Sequence, residues 1–342
     1  MLFRNYTPFP PLQFESRDEK RNDFGVIVLR GTFKIENGRR LRLVQEQAPL
    51  IMADEYFGEP GKSSLKFESN IAPYKPKTDV LVQANAHAPS GRPMTKWNVG
   101  VEVAGIKKGL TVTGPREWNS AGALSPIKEA RSVPIRYELA YGGQYQKGTE
   151  PVLHDDNPVG RGFVERSVKS TQAPQIFPLG STDISLGGPI PVAGLGPVAP
   201  SWTPRRDKAG TFNLIWEKTR WPDLPEDFSF EFYNTGSDGL TLPGFAKGDE
   251  RIKLTNLSTE GEVVFGLPNF QLATLLRFED GRVLPGPIHL DTIHIDMLER
   301  RVYLNWRGVF PVNVPLRVLE VRMNAPKDVI YQPEKQTANS TA

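Results

Sequence analysis

The 342 residues include 38% hydrophobic and 24% charged side chains, enough to fill a core and keep the surface wet, while 31 Gly and 31 Pro favour short strands and turns over long helices. The 42 basic and 39 acidic residues are spread along the chain, and the densest basic runs, Arg39-Arg40-Leu41-Arg42 and Arg205-Arg206, are too short for the stripe that binds nucleic acid. Without cysteine there is no disulfide framework, thiolate metal site or cysteine nucleophile, and no apolar run is long enough to span a membrane.

The opening residues Met1-Leu2-Phe3-Arg4-Asn5-Tyr6 lack the basic-then-apolar pattern of an export signal, so a cytoplasmic protein without membrane insertion is expected. From Val26 to Ile35, residues Ile27, Leu29, Phe33 and Ile35 alternate with Val28, Arg30, Thr32 and Lys34, which predicts a strand with one buried face. Asn37-Gly38 supplies the positive φ angles of a two-residue hairpin, with Leu41 and Leu43 on the returning strand. Val80 and Val82, then Val99, Val101 and Val103, then Leu110, Val112 and Trp118 extend a β meander through residues 1–143. Pro and Gly crowd residues 144–210, but Phe163, Ile176, Phe177, Ile190 and Trp202 interleave apolar anchors, which predicts an ordered irregular segment packed on the sheets. Strand patterns resume across 211–324, at Ile252 and Leu254, Val263 and Phe265, Leu272 to Phe278, Ile288 to Met297, Val302 to Trp306 and Leu316 to Met323. The tail, 325–342, is too polar to offset its ordering entropy and is expected to be mobile. The expected fold class is all-β and mainly antiparallel, as one large sandwich or as two packed β modules, 1–143 and 211–324.

Diagnostic chemistry is sparse. In His289-Leu290-Asp291-Thr292-Ile293-His294-Ile295-Asp296, strand alternation puts His289 and Asp291 on one face and His294 and Asp296 on the other, as surface couples rather than one metal cluster. His154-Asp155-Asp156-Asn157 could form a cation loop, yet acids and amides before Pro158 and Gly160 are also what a plain turn uses, and the turn is favoured. Asp249-Glu250 or Glu226-Asp227 would be the acid pair of a sandwich hydrolase, although no nucleophile elbow, phosphate loop or zinc-binding helix accompanies them. Neither metal nor cofactor is expected. Of the six tryptophans, Trp202 and Trp221 are expected to be exposed anchors, because they lie in irregular sequence.

The run Val133-Pro134-Ile135-Arg136-Tyr137-Glu138-Leu139-Ala140-Tyr141-Gly142-Gly143, followed by Asn157-Pro158-Val159-Gly160-Arg161-Gly162-Phe163, resembles the hallmark of the family called domain of unknown function 2169. Lys77-Thr78-Asp79-Val80, Gly114-Pro115-Arg116-Glu117-Trp118, Trp202-Thr203-Pro204-Arg205, Gly248-Asp249-Glu250, Asp291-Thr292 and Trp306-Arg307 follow the same order, whereas residues 233–239 match more loosely. The resemblance implies a non-enzymatic adaptor or chaperone, a partner of a type VI secretion effector that it helps load onto the VgrG/PAAR spike. It carries over no catalytic residue. Tyr141, Gly142, Gly143, Asn157, Pro158, Gly160, Gly162, Asp249 and Glu250 are expected to set backbone geometry, and Trp202, Arg205, Arg206 and Trp221 are the candidate partner-binding residues. A sandwich hydrolase or carbohydrate-binding protein, and a structural component of the spike, are the alternatives.

Overall fold

A computed structural model describes residues 1–164, 171–182, 184–186, 188 and 190–324; the expected mobile tail, 325–342, lies outside the described residues. The fold is almost entirely β, with a single short α-helix, Leu214–Thr219, among the described residues.

Three sheets carry the structure. The first contains Pro11–Arg17, Asp23–Lys34, Arg301–Pro311, His289–Asp296 and Asp79–Gln83 in that spatial order, with Arg42–Leu43 paired to Asp23–Lys34. Its neighbours are antiparallel except for the last pair, His289–Asp296 with Asp79–Gln83. The second sheet is antiparallel throughout, in the order Ile176–Pro178, Ile106–Thr113, Lys96–Val103, Arg251–Thr255, Glu262–Gly266. The third runs Leu2–Asn5, Leu316–Asn324, Gln271–Phe278, Val283–Pro287, with only its first pair parallel.

Side chains from all three sheets meet in one core, including Ile27, Leu29 and Phe33 from the first, Val99, Val101, Ile252 and Phe265 from the second, and Leu272, Leu276, Leu319 and Val321 from the third. Phe9, Phe33, Phe270 and Trp306 form an aromatic knot within it, the Phe9 and Trp306 rings stacked with centroids 5.0 Å apart. Every large sheet takes strands from both halves of the chain, so the expected boundaries at 143 and 211 do not separate two modules. The physical reason is pairing order: Arg301–Pro311 lies between Asp23–Lys34 and His289–Asp296, which binds the ends of the sequence into one sheet.

Two further expectations change. Asp23–Lys34 is buried on both faces, because the irregular chain after it covers the side that alternation assigned to solvent. Arg30 donates to the Pro49 carbonyl, and the Gln47 side chain accepts from the Thr32 amide at 2.7 Å. Asn37-Gly38 does bend the chain, with Gly38 at φ +77°, but the pair of strand residues nearest the turn is Lys34 and Arg42, so the loop is longer than two residues. The turn docks on another strand instead: the Gly38 amide donates to the Val264 carbonyl at 2.7 Å, and Asn37 Oδ1 accepts from the Val264 amide at 2.9 Å.

Candidate functional site

The hallmark residues build an internal lock. Asn157 is fully buried, and its Nδ2 donates to the carbonyls of Tyr137 at 2.8 Å and Tyr141 at 2.9 Å. In return the Gly143 amide donates to the Asn157 carbonyl at 2.7 Å. Gly142 has φ +142°, and a Cβ there would lie 2.1 Å from the Asn157 carbonyl oxygen, so only glycine lets the two segments touch. Tyr141–Gly142 and Arg161–Gly162 then pair in parallel, with Pro158 and Gly160 in the turn between them. The His154–Asn157 run is therefore a turn, closed by the Asn157 amide donating to the His154 carbonyl.

The Pro/Gly segment folds back on this lock. Trp202 is only 3% exposed, edge-on to the Tyr137 ring with centroids 5.2 Å apart, beside Leu65 and Ala199. Arg205 is also buried, donating from Nε to the Phe232 carbonyl at 2.7 Å and from Nη1 to the Val198 carbonyl at 2.8 Å. Both were expected on a partner-binding surface; burial corrects that, since Tyr137, distant in sequence, covers the Trp202 ring and carbonyls occupy the Arg205 guanidinium. Arg206 stays half-exposed and donates to Asp155 at 3.1 Å. Trp221 is 68% exposed.

Other motif residues converge on a buried ionic cluster. Lys75 Nζ contacts Glu68, Asp79 at 3.0 Å and Thr292 Oγ1 at 3.1 Å. Arg307 Nε donates to Asp291 at 2.6 Å, and its Nη1 to the carbonyls of Asn70 and Ala72. Asp79 also accepts from the Thr235 amide at 2.8 Å and from Thr241 Oγ1 at 3.0 Å. Burial among carboxylates pushes the Glu68 carboxyl above its ordinary range, against the pull of Lys75. These groups tie residues 68–79 and 234–241 over the first sheet. A cavity of about 180 Å³ beside the cluster is lined by Tyr74, Phe245, Pro287 and His289, the His289 and Phe245 rings stacked 4.1 Å apart.

The two His/Asp couples are not surface pairs. A bulge between Leu290 and Thr292 breaks the alternation, and Asp291 turns to Arg307. His294 is buried against Phe67, its Nε2 accepting from Gln83 Nε2 at 2.7 Å, which leaves the ring proton on Nδ1. Asp296 accepts from the amides of Leu298 and Glu299 and closes a turn. Asp249 is exposed, while the Glu250 carboxylate accepts from the amides of Lys247 at 2.6 Å and Gly248 at 2.9 Å; Asp227 accepts from Thr211. Glu250 and Asp227 thus each shape their own loop, and Glu226 meets Arg220 at 2.9 Å.

The exposed apolar surface gathers elsewhere, on residues 211–228. Asn213 caps the short helix, accepting from the amides of Ile215 and Trp216. That helix buries none of its residues: Leu214 is 70% exposed and Ile215 71%, next to exposed Phe212 and Trp221. The excursion is nevertheless pinned. Asp223 pairs with Arg17 and Arg21, both at 3.0 Å, the Arg21 guanidinium donates to the Thr219 carbonyl at 2.7 Å, and Trp216 Nε1 donates to the Asp223 carbonyl at 2.9 Å. From its base a row of ring contacts runs from Phe228 through Phe230 to Tyr74 at the cavity wall. Sequence reasoning found Trp221 here but missed Phe212, Leu214 and Ile215; the available signal was Asn213 as an N-cap before a short helix-forming run.

Motif residues turned inward and apolar residues held outward on one pinned excursion define an all-β scaffold with an interwoven core and a separate presenting surface. The chain belongs to the family described as an uncharacterized protein conserved in bacteria (DUF2169), whose profile matches residues 20–307. No curated protein and no solved structure matches the chain. No helix among the described residues is long and apolar enough to cross a membrane.

Proposed function

We propose that the chain is a non-enzymatic adaptor that binds a type VI secretion effector and helps load it onto the VgrG/PAAR spike, acting in the cytoplasm. One observation carries this reading: Phe212, Leu214, Ile215 and Trp221 stand exposed on an excursion that ion pairs hold in place. Exposed apolar side chains gathered on a rigid element are suited to protein docking, because burying them on association is favourable and little chain entropy is lost. The effector would dock on this face, and the row of rings toward Tyr74 would extend it.

The test is co-purification with an effector encoded beside this protein's gene, using wild type and an Ile215→Asp/Trp221→Ser variant. The variant should lose at least about tenfold in affinity, as expected for a hot-spot pair. In cells, deletion should stop secretion of that effector alone. Arrest of all secretion would instead make the protein a structural component of the spike, and effector binding unaffected by the variant would remove the excursion from the interface.

A further inference from the structure

The outer face of the third sheet carries a second, chemically different surface. Arg4, Arg277, Arg317 and Arg322 come together there around one acid, Glu320, with Leu2, Tyr6 and Val318 between them, in a shallow basin of about 590 Å³. Strand register assembles it: Arg4 lies directly opposite Glu320 on the parallel neighbour, and Arg277 opposite Val318 on the antiparallel one. Glu320 is buried, accepting from Arg277 at 2.7 Å and from Arg322 at 2.9 and 2.7 Å, with Arg4 4.0 Å away. Its hydrogen bonds to Arg277 and Arg322 hold its carboxyl below the ordinary range, despite burial. Arg322 also lies over the Tyr6 ring, 4.8 Å from its centroid.

A role confined to neutralising Glu320 does not account for this arrangement. Three guanidiniums offer about fifteen N–H donors to a carboxylate with about four lone-pair sites. Arg317, exposed, has no carboxylate within ion-pair distance among the described residues. Four positive charges surround one negative charge, and Glu320 holds the forks of Arg277 and Arg322 in fixed orientation. Pre-oriented guanidiniums are matched to carboxylates, which they bind through paired N–H donors.

We infer that this face is a docking site for an acidic peptide segment of a partner protein. Its size favours a peptide over nucleic acid: three strands about 4.8 Å apart present a pad about 10 Å wide, room for a few carboxylates but not for a phosphate track. Leu2 and Tyr6, exposed beside the arginines, add apolar contact for side chains that flank those acids. This site is independent of the excursion at 211–228, and the inference stands or falls apart from the proposed function.

The test uses the full chain and fluorescence anisotropy with a labelled octaglutamate peptide, an octaglutamine control and a labelled eight-base single-stranded DNA. Octaglutamate should bind saturably at low salt, octaglutamine should not, and binding should vanish by about 0.5 M salt, where the Debye length falls to a few ångströms. Arg4→Gln/Arg317→Gln, which removes two charges and spares the two arginines hydrogen-bonded to Glu320, should weaken binding at least about tenfold while leaving the thermal melt nearly unchanged. Absence of saturable octaglutamate binding, or binding that the double variant leaves intact, would overturn the inference. Tighter binding of the DNA, lost in the same variant, would also overturn it and make the pad a nucleic-acid surface.

Discussion

Residues 137–163 and 211–228 invert the usual relation between polarity and burial in opposite senses. In the first, an asparagine and glycines lie inside: Asn157 is fully buried, and Gly142 touches its carbonyl. In the second, Leu214, Ile215 and Trp221 lie outside. Buried polar groups persist where every bond they make is needed to hold irregular chain. Exposed apolar groups persist on a pinned element where something other than folding retains them. Hallmark residues therefore mark where the scaffold is made, and a surface can lie far from them.

That contrast can be broken by substitution. The largest effect is expected from Gly142→Ala, which sets a Cβ against the Asn157 carbonyl at a φ that alanine resists; a loss of about 3 kcal/mol or more should appear in urea unfolding. Asn157→Ala strips donors from two buried carbonyls and should cost about 2–3 kcal/mol by the same measurement. Destabilisation of less than about 0.5 kcal/mol in either would mean that the lock does not hold the fold.

Interior polarity should also be visible in pH dependence. Burial holds His294 at about 3, against an ordinary 6.5, so between those values the folded chain binds fewer protons than the unfolded chain. Stability should be fully retained above about 6.5 and fall as pH drops toward 3, by up to about 1.4 kcal/mol per pH unit from this group. His294→Gln should flatten that part of the profile relative to wild type. Parallel profiles would mean that the histidine takes up its proton as readily in the folded chain as in the unfolded one. The smallest effect on stability is expected in the excursion: Ile215→Asp/Trp221→Ser should shift unfolding by no more than about 0.5 kcal/mol, checked by the same denaturation.

Much of the fold was legible. Alternation located Arg251–Thr255, Glu262–Gly266 and Gln271–Phe278, because strands with one face in the core write burial directly into sequence. Partner choice was not legible, since period two says which face is buried but not against what. Asn37-Gly38 thus bent the chain but docked on Val264 rather than closing a short hairpin. Trp202 and Trp221 both sit beside irregular, Pro-rich chain and read alike. Only Tyr137, brought in by the fold, makes one of them core. The arginine pad was invisible for the same reason: Arg4, Arg277, Arg317 and Arg322 form no run and meet only through strand register.

The position of Arg301–Pro311 also constrains how the chain can be made. Until that strand leaves the ribosome, Asp23–Lys34 and His289–Asp296 each lack the neighbour that joins them in the first sheet. Nearly three hundred residues must therefore wait with an unpaired apolar edge, and closing such sequence-distant pairs is slow. Synthesis should depend on holding chaperones, and a stop codon shortly before 301 should leave an insoluble fragment rather than a smaller working domain.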